Sequence, residues 1–228
     1  MGPSDTVWLF DLDDTLHDAT GAVMTELRQA MGAYIEEHLQ LAPPASDALR
    51  RRYWLRYGAT LLGLVRHHNV QAAHFLHQTH RLPGLEQRVR GHPHDLAALA
   101  RLRGRKVLLT NAPAAYAARV LGALGIAHVF DRVLSIEDMR IFGDLRPKPD
   151  ARMLRVIAAR LRVHPARCVL VEDTLVHQKA ARRVGMRTVW MQRWIGREAA
   201  GERPHRRPAY VDRVVRRLHD LRDPRPRR

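Results

Sequence analysis

Residues Val7 to His17 read VWLFDLDDTLH. Four apolar residues run directly into Asp11, Asp13 and Asp14. A short apolar run that stops at polar residues reads as a buried strand. Carboxylates at the end of such a strand are costly unless they are paired, protonated or bound to a cation. The stretch therefore demands compensating groups from elsewhere in the chain.

Working outward, VLLT (107–110), VFDRVL (129–134), VLV (169–171) and TVWM (188–191) read as further buried strands. Helical patterns lie between them: AAYAARVLGAL (114–124), which stops at Gly125, then 151–161, then 175–184, which stops at Gly185. Strands alternating with helices predict an α/β fold, a doubly wound parallel sheet with helices on both faces. One segment breaks the rhythm. Residues 18–90 carry helical patterns and no convincing strand: a long helix over 20–39, a breaker at Ala42-Pro43-Pro44-Ala45-Ser46 with Ser46 or Asp47 as the next cap, then helices over 48–57, 60–67 and 72–80. Pro83-Gly84 and Gly91-His92-Pro93 mark the return. The expected organisation is a core from 1–17 and 91–222, an all-helical insert over 18–90 and a basic disordered tail at 223–228. Within the core, 197–207 reads as loop and 211–221 as an amphipathic helix.

Composition bounds the function. The 228 residues are 46% hydrophobic and 27% charged, ordinary values for a chain that buries a core. No apolar run is long enough for a membrane helix, and the first residues lack the basic and apolar regions of a secretory signal. Cys168 is the one cysteine, so no intrachain disulfide is available, which fits a cytoplasmic location. The net charge of +16 raises nucleic acid as a partner. Yet the basic residues, all arginine except Lys106, Lys148 and Lys179, are spread along the chain instead of forming a stripe. That reads as a chain-wide arginine bias, with no obligate nucleic acid expected.

Four short pieces carry the chemistry. They are Asp11-x-Asp13-x-Thr15 after the first strand, Thr110-Asn111 after VLL, Lys148 within Arg146-Pro147-Lys148-Pro149, and Glu172-Asp173 after VLV. In a parallel sheet, ligands bind at the carboxyl ends of the strands, where three of these pieces fall. Lys148 leads into the helix from Ala151 and can reach the same crevice.

The order DxDxT, T-N, K-P, E-D resembles the signature of the haloacid dehalogenase-like phosphohydrolases, over nearly the whole chain. The helical insert falls where that superfamily carries its first (C1) type of cap on a Rossmann-like core. Within the superfamily, RRYWLRYGATLLGLVRHHNV (51–70), FDLDDTLHDAT (10–20) and GMRTVW (185–190) resemble the pyrimidine 5′-nucleotidase group. The resemblance implies a phosphomonoesterase with Asp11 as nucleophile, giving a phospho-aspartyl intermediate. Bringing a carboxylate against a phosphate dianion costs on the order of 10 kcal/mol at an effective dielectric of ~20, so a cation is needed. The oxygens of Asp11, the Asp13 carbonyl and Asp173, with Glu172 as ligand or ion-pair partner, suit Mg²⁺. Asp13 would act as general acid and then base, a role that the dehalogenases of the superfamily do without. Thr110 and the Asn111 N–H would bind the phosphoryl oxygens, and Lys148 would neutralise charge there.

The implied substrate is a small phosphomonoester, a pyrimidine nucleoside monophosphate first, with phosphoglycolate or a sugar phosphate as the alternative. Arg52, Tyr57 and His67, from the matching insert segment, are candidates for contacting it, as is His177, which stands where the related nucleotidases often have Asn. The chain is expected to act as a monomer or homodimer. A nucleic-acid binder on an inactive scaffold is the reading from another class. Bland readings stand beside the pieces taken singly: Asp11 and Asp13 as carboxylates near helix starts, Thr110-Asn111 as a strand-to-turn signal, and Asp14 as a local cap. The spacing of His74, His77 and His80, after His67 and His68, suggests a zinc site, but no cysteine partner accompanies it.

Overall fold

The computed structural model describes residues 6–194 and 207–221. In chain order its strands are β1 (Val7–Phe10), β2 (Arg105–Leu109), β3 (Arg132–Leu134), β4 (Arg140–Ile141), β5 (Asp144–Leu145), β6 (Cys168–Glu172), β7 (Arg187–Met191) and β8 (Arg213–Val215). Six of them form one parallel sheet in the order β3-β2-β1-β6-β7-β8, while β4 and β5 make a small antiparallel hairpin. The chain winds from β1 outward through β2 and β3, then returns to β6 on the other side of β1. The winding thus reverses between β1 and β6, and a crevice opens at the carboxyl ends of those two strands.

Alternation along each strand sorts side chains between two faces. Trp8, Phe10, Leu108, Val169 and Val171 point to one face, where Leu99, Tyr116, Ala117, Val120 and Leu121 cover them. Val7, Leu9, Val107, Cys168 and Leu170 point to the other, against Met153, Leu154, Ile157, Ala180 and Ala181. The covering helices are α7 (Pro93–Arg101), α8 (Ala114–Leu124), α9 (Ala151–Arg160) and α10 (Leu175–Arg183). Helix α8 ends at Gly125 in the left-handed region, as its sequence predicts. Helix α9 starts at Asp150, whose side chain accepts from the N–H groups of Arg152 and Met153.

Between β1 and β2 the insert supplies α1 (Ala19–Ala22), α2 (Met24–Leu39), α3 (Pro43–Tyr57), α4 (Thr60–His68), α5 (Ala72–Thr79) and α6 (Leu85–Arg88). Tyr34, Ile35, Leu49, Tyr53, Leu61, Leu64, Phe75 and Leu76 form its own apolar cluster, which also takes in Ile136 and Leu145 from beyond β3. The insert is therefore seated on the sheet's carboxyl end through shared apolar contacts. No helix among the described residues is long and apolar enough to cross a membrane.

Several local expectations change. The long helix over 20–39 breaks at Val23 into α1 and α2, with Asp18 capping α1 by accepting the Gly21 N–H. The break between α2 and α3 comes earlier than Ser46: Ala42 is the N-cap, and Pro43 and Pro44 occupy the first turn of α3, where a missing N–H costs nothing. Ser46 is not a cap. It is buried, and its hydroxyl donates to the Gly32 carbonyl, tying α3 to α2. Only Arg132–Leu134 of the expected 129–134 strand is extended. Helix α7, which no sequence signal marked, begins on Pro93. The expected 211–221 helix is instead β8 followed by a short 3₁₀ turn. Its apolar spacing fits a helix, but the open edge of β7 offers backbone partners, and Asp212 anchors the strand by accepting from the Thr188 N–H at 2.9 Å. Most of the expected 197–207 loop, and the 223–228 tail, lie outside the described residues.

Gly58, between α3 and α4, sits at φ +78°, and a Cβ there would lie 2.5 Å from Cδ of Pro149. Gly58→Ala should lower stability by roughly 1–3 kcal/mol, from the left-handed backbone and the clash together, read as a lower urea midpoint at unchanged slope. An unchanged midpoint would mean that the insert is not seated there.

Candidate active site

The register of the sheet brings the sequence pieces together. Phe10 is level with Leu108 on one side and Val171 on the other. Asp11 follows directly, its N–H donating to the Val171 carbonyl at 3.0 Å. Thr110 leaves the end of β2, and Glu172 closes β6. Neighbouring strands lie about 4.8 Å apart, so these three positions form a row across adjacent strand ends.

Lys148 reaches this row from the loop before α9. Its ammonium is buried and donates to Oδ1 of Asp11 and Oε2 of Glu172, both at 2.7 Å. Asn111 fixes the loop that delivers it: the Asn111 amide donates to the Lys148 carbonyl at 2.9 Å and accepts the Lys148 N–H at 3.0 Å. The Asn111 side chain is thereby committed to the lysine, which leaves only its backbone N–H for the phosphate role expected of it. Thr110 is buried, and its hydroxyl accepts from the Ala112 N–H at 3.0 Å, so its own hydrogen is available to donate.

Asp11, Glu172 and Asp173 bring ligand oxygens within 4.8 Å of one another. Burial, then repulsion from Glu172, holds the Asp11 carboxyl well above its usual range against the pull of Lys148. Burial, then Glu172 and Asp11, raises Asp173 likewise. Glu172 is buried too, but Lys148 and His177 hold it well below its usual range. One lysine thus faces three clustered carboxylates. Oxygen-only donors with excess negative charge fit a hard divalent cation such as Mg²⁺. Within the cluster Glu172 is the most occupied: its Oε2 is shared by Lys148 and His177 Nδ1, the latter at 3.0 Å, and its Oε1 accepts from the Thr174 N–H. Gln178 and Trp190 donate to the carbonyls of Glu172 and Asp173, which fixes that turn.

Asp13 stands slightly apart, with 22% of its side chain exposed. The Tyr116 hydroxyl donates to its Oδ1 at 2.8 Å, and His17 Nε2 lies 2.9 Å from the same oxygen. Burial, then the nearby Asp13, pushes the Tyr116 phenol above its ordinary range, so it stays a donor. Asp14 turns away, at φ +53°, and accepts from the N–H and hydroxyl of Thr20, a local cap as expected. Sequence reasoning missed Tyr116 and His17. Tyr116 looks like one more core residue of an apolar helix, and His17, four residues after Asp13, carries meaning at that spacing only if a helix is presumed.

The insert residues are arranged differently. Tyr57, beside Gly58 and hence near Pro149, bonds its hydroxyl to His67 Nε2 at 2.6 Å. Arg52 is exposed, stacks over Tyr53, and lines a surface groove of about 620 Å³ with Arg51, Leu55 and Arg56. The histidines do not converge on a metal. His74 bonds Tyr34, whereas His80 lies edge-on to Tyr116 with centroids 5.7 Å apart. Among the described residues, Asp11, Glu172 and Asp173 are the one cluster with metal-ligand spacing.

A family model described as haloacid dehalogenase-like hydrolase matches residues 7–185. Solved structures share the architecture. A HAD phosphatase from Thermococcus onnurineus is 20% identical over 94% of each chain, with a TM-score of 0.59. CbbY from Rhodobacter sphaeroides, solved in complex with phosphate, is 18% identical over 95% of this chain and 96% of its own, with a TM-score of 0.61. The L-2-haloacid dehalogenase from Xanthobacter autotrophicus, solved with chloropropionic acid covalently bound, is 19% identical over 94% of this chain and 96% of its own, with a TM-score of 0.54. At these identities the likeness speaks for the fold.

The Asn111 clamp makes a direct prediction. Asn111→Ala leaves the N–H and carbonyl of Lys148 without their partner and should cost about 1–3 kcal/mol of stability in urea unfolding. A variant as stable as the parent would show that other contacts hold the lysine loop.

Proposed function

Because the chain belongs to the haloacid dehalogenase-like hydrolase family, we propose that it is an Mg²⁺-dependent phosphomonoesterase working through a phospho-aspartyl intermediate, with a pyrimidine nucleoside monophosphate as its substrate class. The structural neighbours include both a phosphatase and a dehalogenase. The observation that favours phosphate-ester chemistry is Asp13. Expelling a halide needs no proton, whereas expelling an alkoxide does. Asp13 is a second, partly exposed carboxyl two residues beyond the nucleophile candidate, and its Oδ1 is anchored by Tyr116 and His17.

The roles follow from placement. Asp11 attacks phosphorus, and its Oδ1 is steered by the Lys148 ammonium, which also offsets charge on the phosphoryl group. The Thr110 hydroxyl and Asn111 N–H hold phosphoryl oxygens. Asp13 gives a proton to the leaving oxygen and then takes one from the water that hydrolyses the acyl phosphate. Mg²⁺, held by Asp11, Asp173 and the Asp13 carbonyl, with Glu172 mainly orienting Lys148, would supply the charge that lets two anions meet. His177 tunes the cluster through its contact with Glu172. The insert closes over the leaving group and excludes water. Tyr57 and His67, hydrogen-bonded to each other on the insert, are the candidates for meeting a nucleoside, with Arg52 earlier along α3.

A phosphate-release panel with Mg²⁺ or EDTA tests this. UMP and CMP should give the highest kcat/KM, EDTA should abolish turnover, and 2-haloacids should release no halide. A preference for phosphoglycolate or sugar phosphates would change the substrate, and halide release would replace the reaction class. Asp11→Asn should lower kcat by roughly 10⁴-fold or more with the fold retained by circular dichroism. Asp173→Ala should raise the Mg²⁺ concentration for half-activity at least about tenfold, and an unshifted titration would remove it from the ligand set.

A further inference from the structure

On the phosphomonoesterase reading above, we infer that Tyr116 and His17 are positioning residues that decide which oxygen of Asp13 carries the transferable proton. Both converge on a single atom. The Tyr116 hydroxyl donates to Asp13 Oδ1 at 2.8 Å, and His17 Nε2 lies 2.9 Å from that oxygen. In the tautomer that carries its hydrogen on Nε2, His17 donates to this oxygen beside Tyr116. Two donors fill both lone pairs of Oδ1. A proton arriving on Asp13 is thereby directed to Oδ2, which accepts no hydrogen bond from the described residues.

The surroundings make this arrangement rigid. His17 is fully buried, so its ring cannot swing into solvent. Tyr116 is also buried, and the ring of His80, at the end of α5, lies edge-on to it from the insert's side. Without the Tyr116 hydroxyl, Oδ1 regains a free lone pair. The proton can then settle on either oxygen, and the carboxyl can turn.

The consequence falls on two balanced steps. In the first, Asp11 forms a bond to phosphorus, the ester P–O bond breaks, and the proton on Asp13 Oδ2 passes to the departing oxygen, giving the free alcohol. In the second, water attacks phosphorus, its proton returns to Oδ2, and the Asp11 carboxylate leaves with release of phosphate. Only the first step depends on the basicity of the alcohol.

That dependence separates positioning from mere structural support. Single-turnover alcohol release would be measured over a series running from p-nitrophenyl phosphate to an alkyl phosphate. Tyr116→Phe should slow the alkyl ester roughly 10- to 100-fold while changing p-nitrophenyl phosphate less than about threefold, with KM and thermal midpoint little altered. His17→Gln, which can keep an N–H at the position of Nε2, should retain the parent's flat leaving-group dependence, and His17→Leu should lose it. If Tyr116→Phe slows every ester equally, or none, the inference is overturned. Asp13→Asn on the same series guards the premise. Normal alkyl-ester cleavage by that variant would overturn the role of Asp13 itself, whereas its loss beside an unaffected Tyr116→Phe would overturn the positioning claim alone.

Discussion

The ammonium of Lys148, shared between Asp11 and Glu172 at the point where the sheet reverses its winding, is the interaction around which the molecule is arranged. Removing one partner of a buried ion pair typically costs 3–5 kcal/mol, because the remaining charge is left uncompensated. The chain spends a good deal of structure on keeping this cation in place. Asn111 grips its backbone, Asp150 starts a helix two residues later, and Gly58 presses against the adjoining Pro149. The lysine still leaves negative charge uncancelled, since Asp173 adjoins the pair. That excess of carboxyls over cations is a donor set that fits a divalent cation.

Much of this was legible in the sequence, because the physics was local. Strand β1 stood out as an apolar run cut off by acids, and β6 and β7 followed the same rule to within a residue or two. The end of α8 was set by Gly125, which takes the left-handed turn without a side-chain clash. The strand-end acids, Thr110 and Lys148 were singled out because each sits where one element hands over to the next. What escaped depended on partners distant in the chain. Residues 213–215 became a strand because β7 had a free edge, which no periodicity reveals. Pro43 looked like a stop signal, yet the same proline is well suited to a first turn. Tyr116 looked like packing, and its hydroxyl acquires a use only when Asp13, 103 residues away, is brought to it.

Asp11 and Asp13 are two residues apart and set in different surroundings. Asp11 is sealed in and bonded to an ammonium, which immobilises its oxygen, while burial and Glu172 hold its carboxyl above the usual range. Asp13 is partly open and held at one oxygen only, by Tyr116 and His17, an arrangement that leaves the other oxygen free to exchange a proton. A strand continuing straight through both would place them on the same face, in like surroundings. The chain instead turns after β1, and the bridge from Asp13 to His17 closes that turn.

The contact between His80 and Tyr116 gives the insert a mechanical line to the core that bypasses whatever molecule is bound. A graft that exchanged residues 18–90 for the equivalent piece of a relative would bring new surfaces for choosing a leaving group. It would also rewire the support behind Asp13. Selectivity and turnover are therefore entangled in this architecture, and a chimaera that kept an aromatic edge at position 80 and a bare Cα at position 58 would inherit both.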